Sequence, residues 1–243
     1  MIDIGKTLRH LSRYNFRYFQ HKAYDLPLHR RVVSRMDCRR LELKYPGLRR
    51  KYDLSKEDYR QKILSSYHEY ISEISSEIMA SSLELSIFLL FLCDIAQPKR
   101  ILDLGSGFSS FLFRFHALTS QEKTFICSVD DSEEWLIKTA GFLSNHQLPA
   151  TNLMTWDAFS GLDMDPFDFI FYDLGPFDFR KESLNPVLEK RTGAHGIVIL
   201  DDMHSADYGL FVKCTLKGTR FEAFDTGCYT RDHYSRYSLM LTY

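Results

Sequence analysis

The sequence predicts an α/β fold of three layers, in which helices cover both faces of one mostly parallel sheet. Three observations support this prediction. The chain has 243 residues, which suits one α/β domain plus an extension, because domains usually run to about 100–200 residues. After Lys99, short apolar strands alternate with helical patterns, as in parallel sheets that are buried on both sides. The last two predicted strands are joined by a polar link and close as an antiparallel hairpin.

The predicted sheet has seven strands, and helical patterns alternate with the first five. The strands are expected at 100–104, 124–129, 152–155, 167–172 and 196–200, with the hairpin strands at 220–225 and 237–243. The helices are expected at 109–118, 132–145, 181–191 and 208–216. Ligands bind open sheets of this kind beyond the carboxyl ends of the strands, so functional residues are expected there.

A basic helical extension is predicted over residues 1–80, followed by the α/β domain over residues 81–243. From Met1 to Lys62 there are 17 basic and 7 acidic side chains, whereas the rest of the chain has 31 − 17 = 14 basic and 32 − 7 = 25 acidic ones. Opposite charges on the two parts indicate either an anionic partner for the extension or contact between the extension and its own domain.

Two helices are predicted just before the first strand. Apolar residues recur at intervals of three and four over 57–80, as in an amphipathic helix. A second helix is expected over 83–96, with Ser82 or the preceding Ser81 as its cap. Met79, Ser81 and Ser82 fall where such a segment can touch a ligand bound at the sheet.

Composition argues against two classes of protein. The longest apolar run, 87–93, is far shorter than the roughly 20 residues of a membrane span. The polar, basic start of the chain predicts no secretory signal. Five widely spaced cysteines without a Cys-x-x-Cys pair predict free thiols in a reducing compartment, a cytoplasmic location and no zinc site; they are Cys38, Cys93, Cys127, Cys214 and Cys228.

The strongest motif lies at 101–110, where a buried strand runs into Gly105-Ser106-Gly107 and then into a helix. Glycines let the backbone approach a ligand, and a helix start offers free N–H groups. The dinucleotide fingerprint requires glycine or alanine at position 110, where this chain has Ser110. Asp103, two residues before the first glycine, suits a cationic ligand and repels a pyrophosphate.

This motif resembles that of the class I S-adenosylmethionine (SAM)-dependent methyltransferases, whose acid-x-Gly-x-Gly loop is matched by Asp103, Gly105 and Gly107. The resemblance implies a Rossmann-like fold. It also implies that Asp103 lies near the amino group of the cofactor and that Gly105, Ser106 and Gly107 line its methionine part. Ser109 replaces a third glycine that is common in the family, and it can still cap the helix.

Acids after the second and third strands extend the resemblance. In the family, the first of these acids binds the ribose hydroxyls, and Asp130 matches it best, with Asp131 next to it. Asp131 or Ser132 can instead cap the following helix. The second acid binds the adenine amino group, which implies this role for Asp157 with Ala158 against the ring. Alternatively, Asp157 only turns the chain.

Three carboxylates are expected to cluster at the ends of the fourth and fifth strands, namely Asp173, Asp201 and Asp202. Such a cluster is costly without a cation, and Mg²⁺ prefers oxygen ligands. The arrangement resembles the cation-dependent O-methyltransferases of the catechol O-methyltransferase kind, in which the metal draws the acceptor hydroxyl toward its alkoxide. Two departures are the absence of a lysine in 174–177 and the presence of His204.

The chain also resembles a looser group of methyltransferases of sugar and secondary-metabolite pathways. In these, a histidine or an aspartate serves as base without a metal, which implies a catalytic role for His204 or Asp173. His195 lies in a turn before a strand and is expected to be structural.

The sequence therefore predicts an enzyme that methylates a hydroxyl group of a small molecule or sugar with SAM, assisted by Mg²⁺ or by a histidine. The alternatives are a nucleic-acid methyltransferase that uses the basic extension, an aminopropyl transferase of the same fold and a non-catalytic cofactor-binding protein. The extension carries Arg30-Arg31, Arg39-Arg40 and Arg49-Arg50-Lys51. The aromatic residues of the extension lead us to expect a homodimer. The link at 227–234 is a candidate binding site for the methyl acceptor.

Overall fold

A seven-stranded sheet in the order β3-β2-β1-β4-β5-β7-β6 forms the centre of the protein. The computed structural model describes residues 27–120 and 123–243. Strands β1 to β5 are parallel, whereas β7 is antiparallel to β5 and β6 is antiparallel to β7. The strands are β1 Arg100–Leu104, β2 Phe125–Asp130, β3 Leu153–Thr155, β4 Phe167–Tyr172, β5 Thr192–Leu200, β6 Glu222–Asp225 and β7 Leu239–Thr242.

Helices cover both faces of this sheet. They are α1 Pro27–Lys44, α2 Leu48–Glu69, α3 Leu83–Ala96, α4 Phe108–Thr119, α5 Glu133–Asn145, α6 Trp156–Ser160, α7 Phe177–Lys190, α8 Ala206–Thr215 and α9 Gly227–Thr230. Side chains alternate along each strand, so β1 sends Ile101 into the core under α3, α4 and α5, and Leu102 and Leu104 into the core under α6, α7 and α8. The predicted three-layer α/β fold with a mostly parallel sheet is confirmed.

Three predicted elements begin four or more residues earlier than expected. The helix expected over 57–80 begins earlier, at Leu48, and ends in a π-helical turn at Tyr70–Ile74. The helix expected from 181 begins at Phe177, which places Pro186 in its interior. Strand β5 begins at Thr192 and not at 196, because Thr192 pairs with Phe167 of β4. The register then shifts, and pairing resumes at Ile197.

Helix α1 packs against the antiparallel end of the sheet. Lys44 donates to the carbonyl of Tyr243 at 2.7 Å and lies 3.1 Å from the carboxylate of Glu222. The guanidinium of Arg40 lies over the ring of Phe224 and bonds to Asp37. Part of the charge of the extension is thus used in intramolecular contacts. Residues 1–26 and the side chains of Arg30 and Arg31 lie outside the described residues.

A disulfide joins Cys38 in α1 to Cys228 in α9, with the two Cα atoms 6.7 Å apart. The prediction of five free thiols is therefore wrong for this pair. Sequence spacing could not reveal it, because the two residues are 190 positions apart and meet only through the docking of α1. Cys93 and Cys127 are free and buried, and Cys214 is free and exposed.

Across residues 27–120 and 123–243, no helix has both the length and the apolar character that a membrane span requires.

Candidate functional site

A cavity of about 430 Å³ opens at the carboxyl ends of β1, β2 and β4. The loops that follow these three strands form one side of it, and the segment between α2 and α3 forms the other. The residues that line it include Tyr70, Met79, Ala80, Ser81, Gly105, Ser106, Gly107, Asp130, Asp131, Trp135, Asp173, Gly175 and Arg180. Its position agrees with the binding sites of open α/β sheets.

The glycine loop brings backbone to the cavity where side chains would not fit. Gly105 has φ +99°, a left-handed conformation that favours glycine, and a Cβ there would overlap the backbone carbonyl of Asp173. A Cβ on Gly107 would stand 2.8 Å from the hydroxyl of Tyr70. These two glycines let β1 turn tightly into α4 beside the end of β4.

Asp103 does not line the cavity but stabilises the start of α4. It is fully buried, and its two carboxylate oxygens accept hydrogen bonds from the hydroxyls of Ser109 and Ser110. Burial raises its pKa, and the two serines oppose that shift. The structure thus places this carboxylate on the first turn of α4 and not on the cavity wall.

Asp130 and Asp131 both reach the cavity, from the end of β2. Asp130 is 5% exposed and accepts hydrogen bonds from the amide and hydroxyl of Ser106, at 2.8 and 3.0 Å, and from the amide of Ser132 at 2.9 Å. Burial raises its pKa to about 6, and the charge of Asp131 adds to this shift. Asp131 is exposed, and Ser132 caps α5 by accepting from the amide of Trp135.

Two aromatic side chains at the cavity were not predicted. Trp135 donates its indole N–H to the carbonyl of Ser106 at 2.6 Å, and Tyr70 is 1% exposed against the glycine loop. Trp135 stands in the first turn of the helix after Asp131, a position that could have drawn attention to it. Nothing in the local sequence distinguishes Tyr70, the first residue of the π-helical turn, from the tyrosines of α2. Its place depends on how α2 and this turn pack.

Asp157 and Ala158 do not line the cavity. Both are exposed in the short helix α6, where the hydroxyl of Thr155 accepts a hydrogen bond from the amide of Ala158 at 3.4 Å. The assignment of these residues to an adenine ring stays a prediction.

The magnesium site predicted from Asp173, Asp201 and Asp202 is not assembled. A guanidinium lies between two of these carboxylates: Arg180 Nη2 is 2.6 Å from Asp173 Oδ1, and Arg180 Nη1 is 3.1 Å from Asp202 Oδ2. Asp201 accepts a hydrogen bond from the amide of Asp202 at 2.7 Å. Among the residues that the structure describes, no three His, Cys, Asp or Glu side chains form a group that could hold a metal.

Arg180 supplies the cation that the sequence analysis assigned to a metal. It was missed because it lies on α7, seven residues beyond Asp173 and outside the strand ends where ligands were sought. Burial raises the pKa of Asp173, and the charge of Arg180 opposes that shift. Burial also raises the pKa of Asp201, and the neighbouring Asp202 and Asp173 raise it further.

His204 lies outside the cavity wall, on the link between β5 and α8. Its Nδ1 is 3.5 Å from Asp202 Oδ1, and Asp202 in turn contacts Arg180. The residues therefore form a chain from the cavity outward: Asp173, Arg180, Asp202 and His204.

The segment between α2 and α3 closes the cavity, as the sequence predicts for Met79 and Ser81. Ser82 caps α3 instead, accepting from the amide of Leu85 at 3.2 Å. The link expected at 227–234 to meet an acceptor begins as helix α9, whose Tyr229 is buried and stacks on Phe88.

Several solved structures that share this architecture are methyltransferases. No protein-family profile and no curated protein sequence matches the chain. The methyltransferase PaMTH1 of Podospora anserina, bound to S-adenosylhomocysteine (SAH), aligns with a TM-score of 0.59 and 13% identity over 74% of this chain and 87% of its own. The O-methyltransferase TomG of Streptomyces achromogenes, involved in tomaymycin synthesis and bound to SAM, gives 0.57 and 17% over 73% and 87%.

An O-methyltransferase of Bacillus cereus in complex with SAH aligns over 87% of this chain and 98% of its own, with a TM-score of 0.54 and 13% identity. At such low identity the likeness concerns the fold. The chain has the Rossmann-like fold of the SAM-dependent O-methyltransferases.

Proposed function

We propose that this protein is a SAM-dependent methyltransferase that methylates a hydroxyl group of a small molecule or a sugar. The observation that carries the proposal is one cavity at the strand ends where the glycine loop, Asp130 and Asp173 meet. Its volume of about 430 Å³ is within the range of roughly 300–1,000 Å³ that is typical of small-molecule sites.

The charge of the cavity favours SAM over a dinucleotide. Its lining contains the carboxylates Asp130, Asp131 and Asp173 and one guanidinium, Arg180. A negative cavity attracts the sulfonium and ammonium groups of SAM and repels a pyrophosphate, because the interaction follows the sign of the charges.

In this proposal the acids and the glycine loop bind different parts of the cofactor. Asp130 accepts three hydrogen bonds from the protein, which leaves about one of the four acceptor positions of a carboxylate for a ribose hydroxyl. The exposed Asp131 supplies the second acceptor. The backbone of 105–107 faces the methionine part, since no Cβ intervenes at either glycine, and Asp173 faces the positively charged groups.

Asp173 is our candidate for the base. SAM, when bound, supplies a methyl group on a positively charged sulfur that is open to attack by an oxygen nucleophile. As the acceptor hydroxyl takes the methyl group, the methyl–sulfur bond breaks and its electron pair stays on the sulfur of SAH. The hydroxyl proton passes to a carboxylate oxygen of Asp173. Arg180, 2.6 Å away, fixes the orientation of that carboxylate. His204 acts only at a distance, by contacting Asp202 behind Arg180.

A magnesium ion does not fit between these acids. The guanidinium of Arg180 lies between Asp173 and Asp202, and Asp201 is bonded to the backbone of Asp202. The proposed reaction therefore uses no metal at this position, and Arg180 neutralises part of the carboxylate charge instead.

Calorimetric titration with SAH tests the proposal, with NADH as the contrasting ligand. We expect the wild-type protein to bind SAH and not NADH. Asp131→Asn should weaken SAH binding about tenfold, equivalent to ~1.4 kcal/mol, through the loss of a charged acceptor. Asp163→Asn is the matched control, because Asp163 is exposed and outside the cavity, and it should bind SAH like the wild type. Absence of SAH binding by the wild-type protein contradicts the proposal.

A further inference from the structure

We propose that Arg236 is a positioning residue that sets the affinity of the cavity for its ligand by holding the segment 77–80 in place. The identity of the ligand rests on the proposed function, whereas the role of Arg236 in holding the segment does not.

The guanidinium of Arg236 binds three backbone carbonyls of this segment. Nη1 donates to the carbonyl of Ile78 at 2.6 Å and to that of Ala80 at 2.9 Å, and Nη2 donates to the carbonyl of Glu77 at 2.9 Å. These carbonyls lie between α2 and α3, where no helix or strand supplies donors for them. A single side chain thus provides the hydrogen bonds that fix the path of this segment.

Asp232 holds Arg236 in the orientation that these bonds require. Its Oδ2 accepts from Arg236 Nε at 2.6 Å, and its Oδ1 accepts from the backbone amide of Arg236 at 2.8 Å. The side chain of Asp232 is 1% exposed and that of Arg236 is 12% exposed. Both carboxylate oxygens thus bond to Arg236, one through its side chain and one through its backbone, and the pair is shielded from water, so the guanidinium is held in one orientation.

The other contacts of the segment are few: Ala80 is buried, and the amides of Met79 and Ala80 donate to the carbonyl of Ser76 within the same turn. Ile78 is 64% exposed and Met79 is 73% exposed, so their burial contributes little to holding it against the domain. A weaker tie comes from the same loop as Arg236, where the hydroxyl of Tyr234 lies 3.4 Å from Glu77 Oε2. Arg236 therefore supplies the side-chain hydrogen bonds that tie the carbonyls of Glu77, Ile78 and Ala80 to the rest of the domain.

The segment forms a wall of the cavity, but Arg236 itself does not. Met79, Ala80 and Ser81 line the cavity, so a looser segment lowers ligand affinity because ordering it again costs conformational entropy on binding. The glycine loop and the acids at the strand ends are on other elements and keep their geometry. The expected effect is on affinity, with the rest of the fold intact.

Two variants separate charge from geometry. Arg236→Gln removes the charge and most donors. Arg236→Lys keeps the charge, but a point-like ammonium cannot serve three carbonyls and a carboxylate as a planar guanidinium does. Arg60→Gln is the matched control, because Arg60 is an exposed arginine of α2.

Amide hydrogen exchange over residues 75–82 and titration with SAH are the two measurements. Arg236→Gln should speed exchange in this segment in the ligand-free protein and weaken SAH binding about tenfold or more, while Arg236→Lys should recover part of both losses. Arg60→Gln should resemble the wild type. Unchanged exchange, or faster exchange with unchanged SAH affinity, overturns the proposal. If the wild-type protein binds no SAH, the proposed function fails, and the exchange data alone decide whether Arg236 holds the segment.

Discussion

The hydroxyl of Tyr70 lies 2.8 Å from the point at which a Cβ on Gly107 would stand. The backbone does not require glycine there, because φ is 164° and therefore extended. The next atoms, Trp135 Nε1 at 3.7 Å and Tyr70 Cζ at 3.8 Å, are at ordinary contact distance. The tyrosine hydroxyl alone therefore excludes a larger residue from this part of the glycine loop.

Gly107→Ala is accordingly expected to destabilise the protein by about 1–3 kcal/mol, the usual effect of overpacking a buried site. In a Tyr70→Phe background the same change should cost less than half as much, because the clashing atom is gone. Urea denaturation of the four proteins measures this coupling. Gly141→Ala is the control: nothing lies within 4 Å of that position in α5, and alanine should stabilise the helix by ~0.5–1 kcal/mol. Equal losses in both backgrounds would refute the clash.

A second prediction concerns Arg180, which lies between Asp173 and Asp202. Removing one partner from a buried ion pair leaves the other charge uncompensated, so Arg180→Gln should lower the free energy of unfolding by about 3–5 kcal/mol. The double variant Arg180→Gln with Asp202→Asn should regain part of that loss, because one of the repelling carboxylates is neutral.

Metal dependence provides the companion measurement. The wild-type protein should bind SAH equally well with excess Mg²⁺ and with excess EDTA, since a guanidinium already lies between the acids. Arg180→Gln should become more heat-stable when Mn²⁺ is added, because its carboxylates have lost the guanidinium between them and can then accept a cation. A fall in the SAH affinity of the wild type on addition of EDTA would contradict the role assigned to Arg180.

Local patterns predicted the sheet and the loops at its carboxyl edge. Alternating apolar runs located β1 and β4 at the observed residues, and the Gly-x-Gly pattern located the turn into α4, because each of these features depends on neighbours in sequence. Arg180, Tyr70 and Arg236 were not predicted. Their roles arise from packing between elements that are distant in the chain, and no local pattern distinguishes them from other polar residues of amphipathic helices and links.

The acid cluster is a particular example of that limit. Topology correctly brought the ends of β4 and β5 side by side. The repulsion among the three carboxylates was also inferred correctly, and a cation was required. The sequence predicted a metal ion as this cation, because a metal can be inferred without knowing which basic residue lies nearby. In the structure the cation is a guanidinium from the first turn of α7.

Asp201 provides a pH-dependent prediction. Burial and the neighbouring carboxylates raise its pKa in the folded protein, so the folded state binds a proton more tightly than the unfolded state. Stability is then unaffected below the ordinary pKa of an aspartate and is lost progressively as pH rises toward the raised value. Asp201→Asn should therefore stabilise the protein more at about pH 8 than at about pH 5.

Thermal unfolding at the two pH values checks this expectation. A gain of 1 kcal/mol corresponds to roughly 2–4 °C in the melting temperature for a chain of this size. Asparagine keeps the acceptor for the amide of Asp202, so the hydrogen bond at 2.7 Å is preserved. Asp157→Asn is the control, because Asp157 is exposed. Asp168→Asn is not suitable, because Asp168 accepts hydrogen bonds from two backbone amides. A pH-independent gain would mean that the charge of Asp201 is not the cause.

The last prediction follows from the disulfide between Cys38 and Cys228, which closes a loop of 190 residues between α1 and α9. A cross-link over so long a loop restricts the unfolded chain, and native disulfides typically contribute about 2–4 kcal/mol. Reduction should therefore lower the melting temperature by several degrees. Cys38→Ser with Cys228→Ser should melt at the lower temperature with or without reductant. The control is Cys214→Ser, an exposed free thiol, which should leave the response to reductant unchanged.

Because disulfides are rare in reducing compartments, the same pair also tests the expected cytoplasmic location. Thiol alkylation of the protein in freshly lysed cells, followed by mass spectrometry, distinguishes the two states. Modification of Cys38 and Cys228 together with Cys214 would mean that the bond is open in the cell and that α1 is held only by contacts such as that between Lys44 and the carbonyl of Tyr243. Protection of Cys38 and Cys228 alone would place the protein in an oxidising environment, and the cytoplasmic prediction would then be wrong.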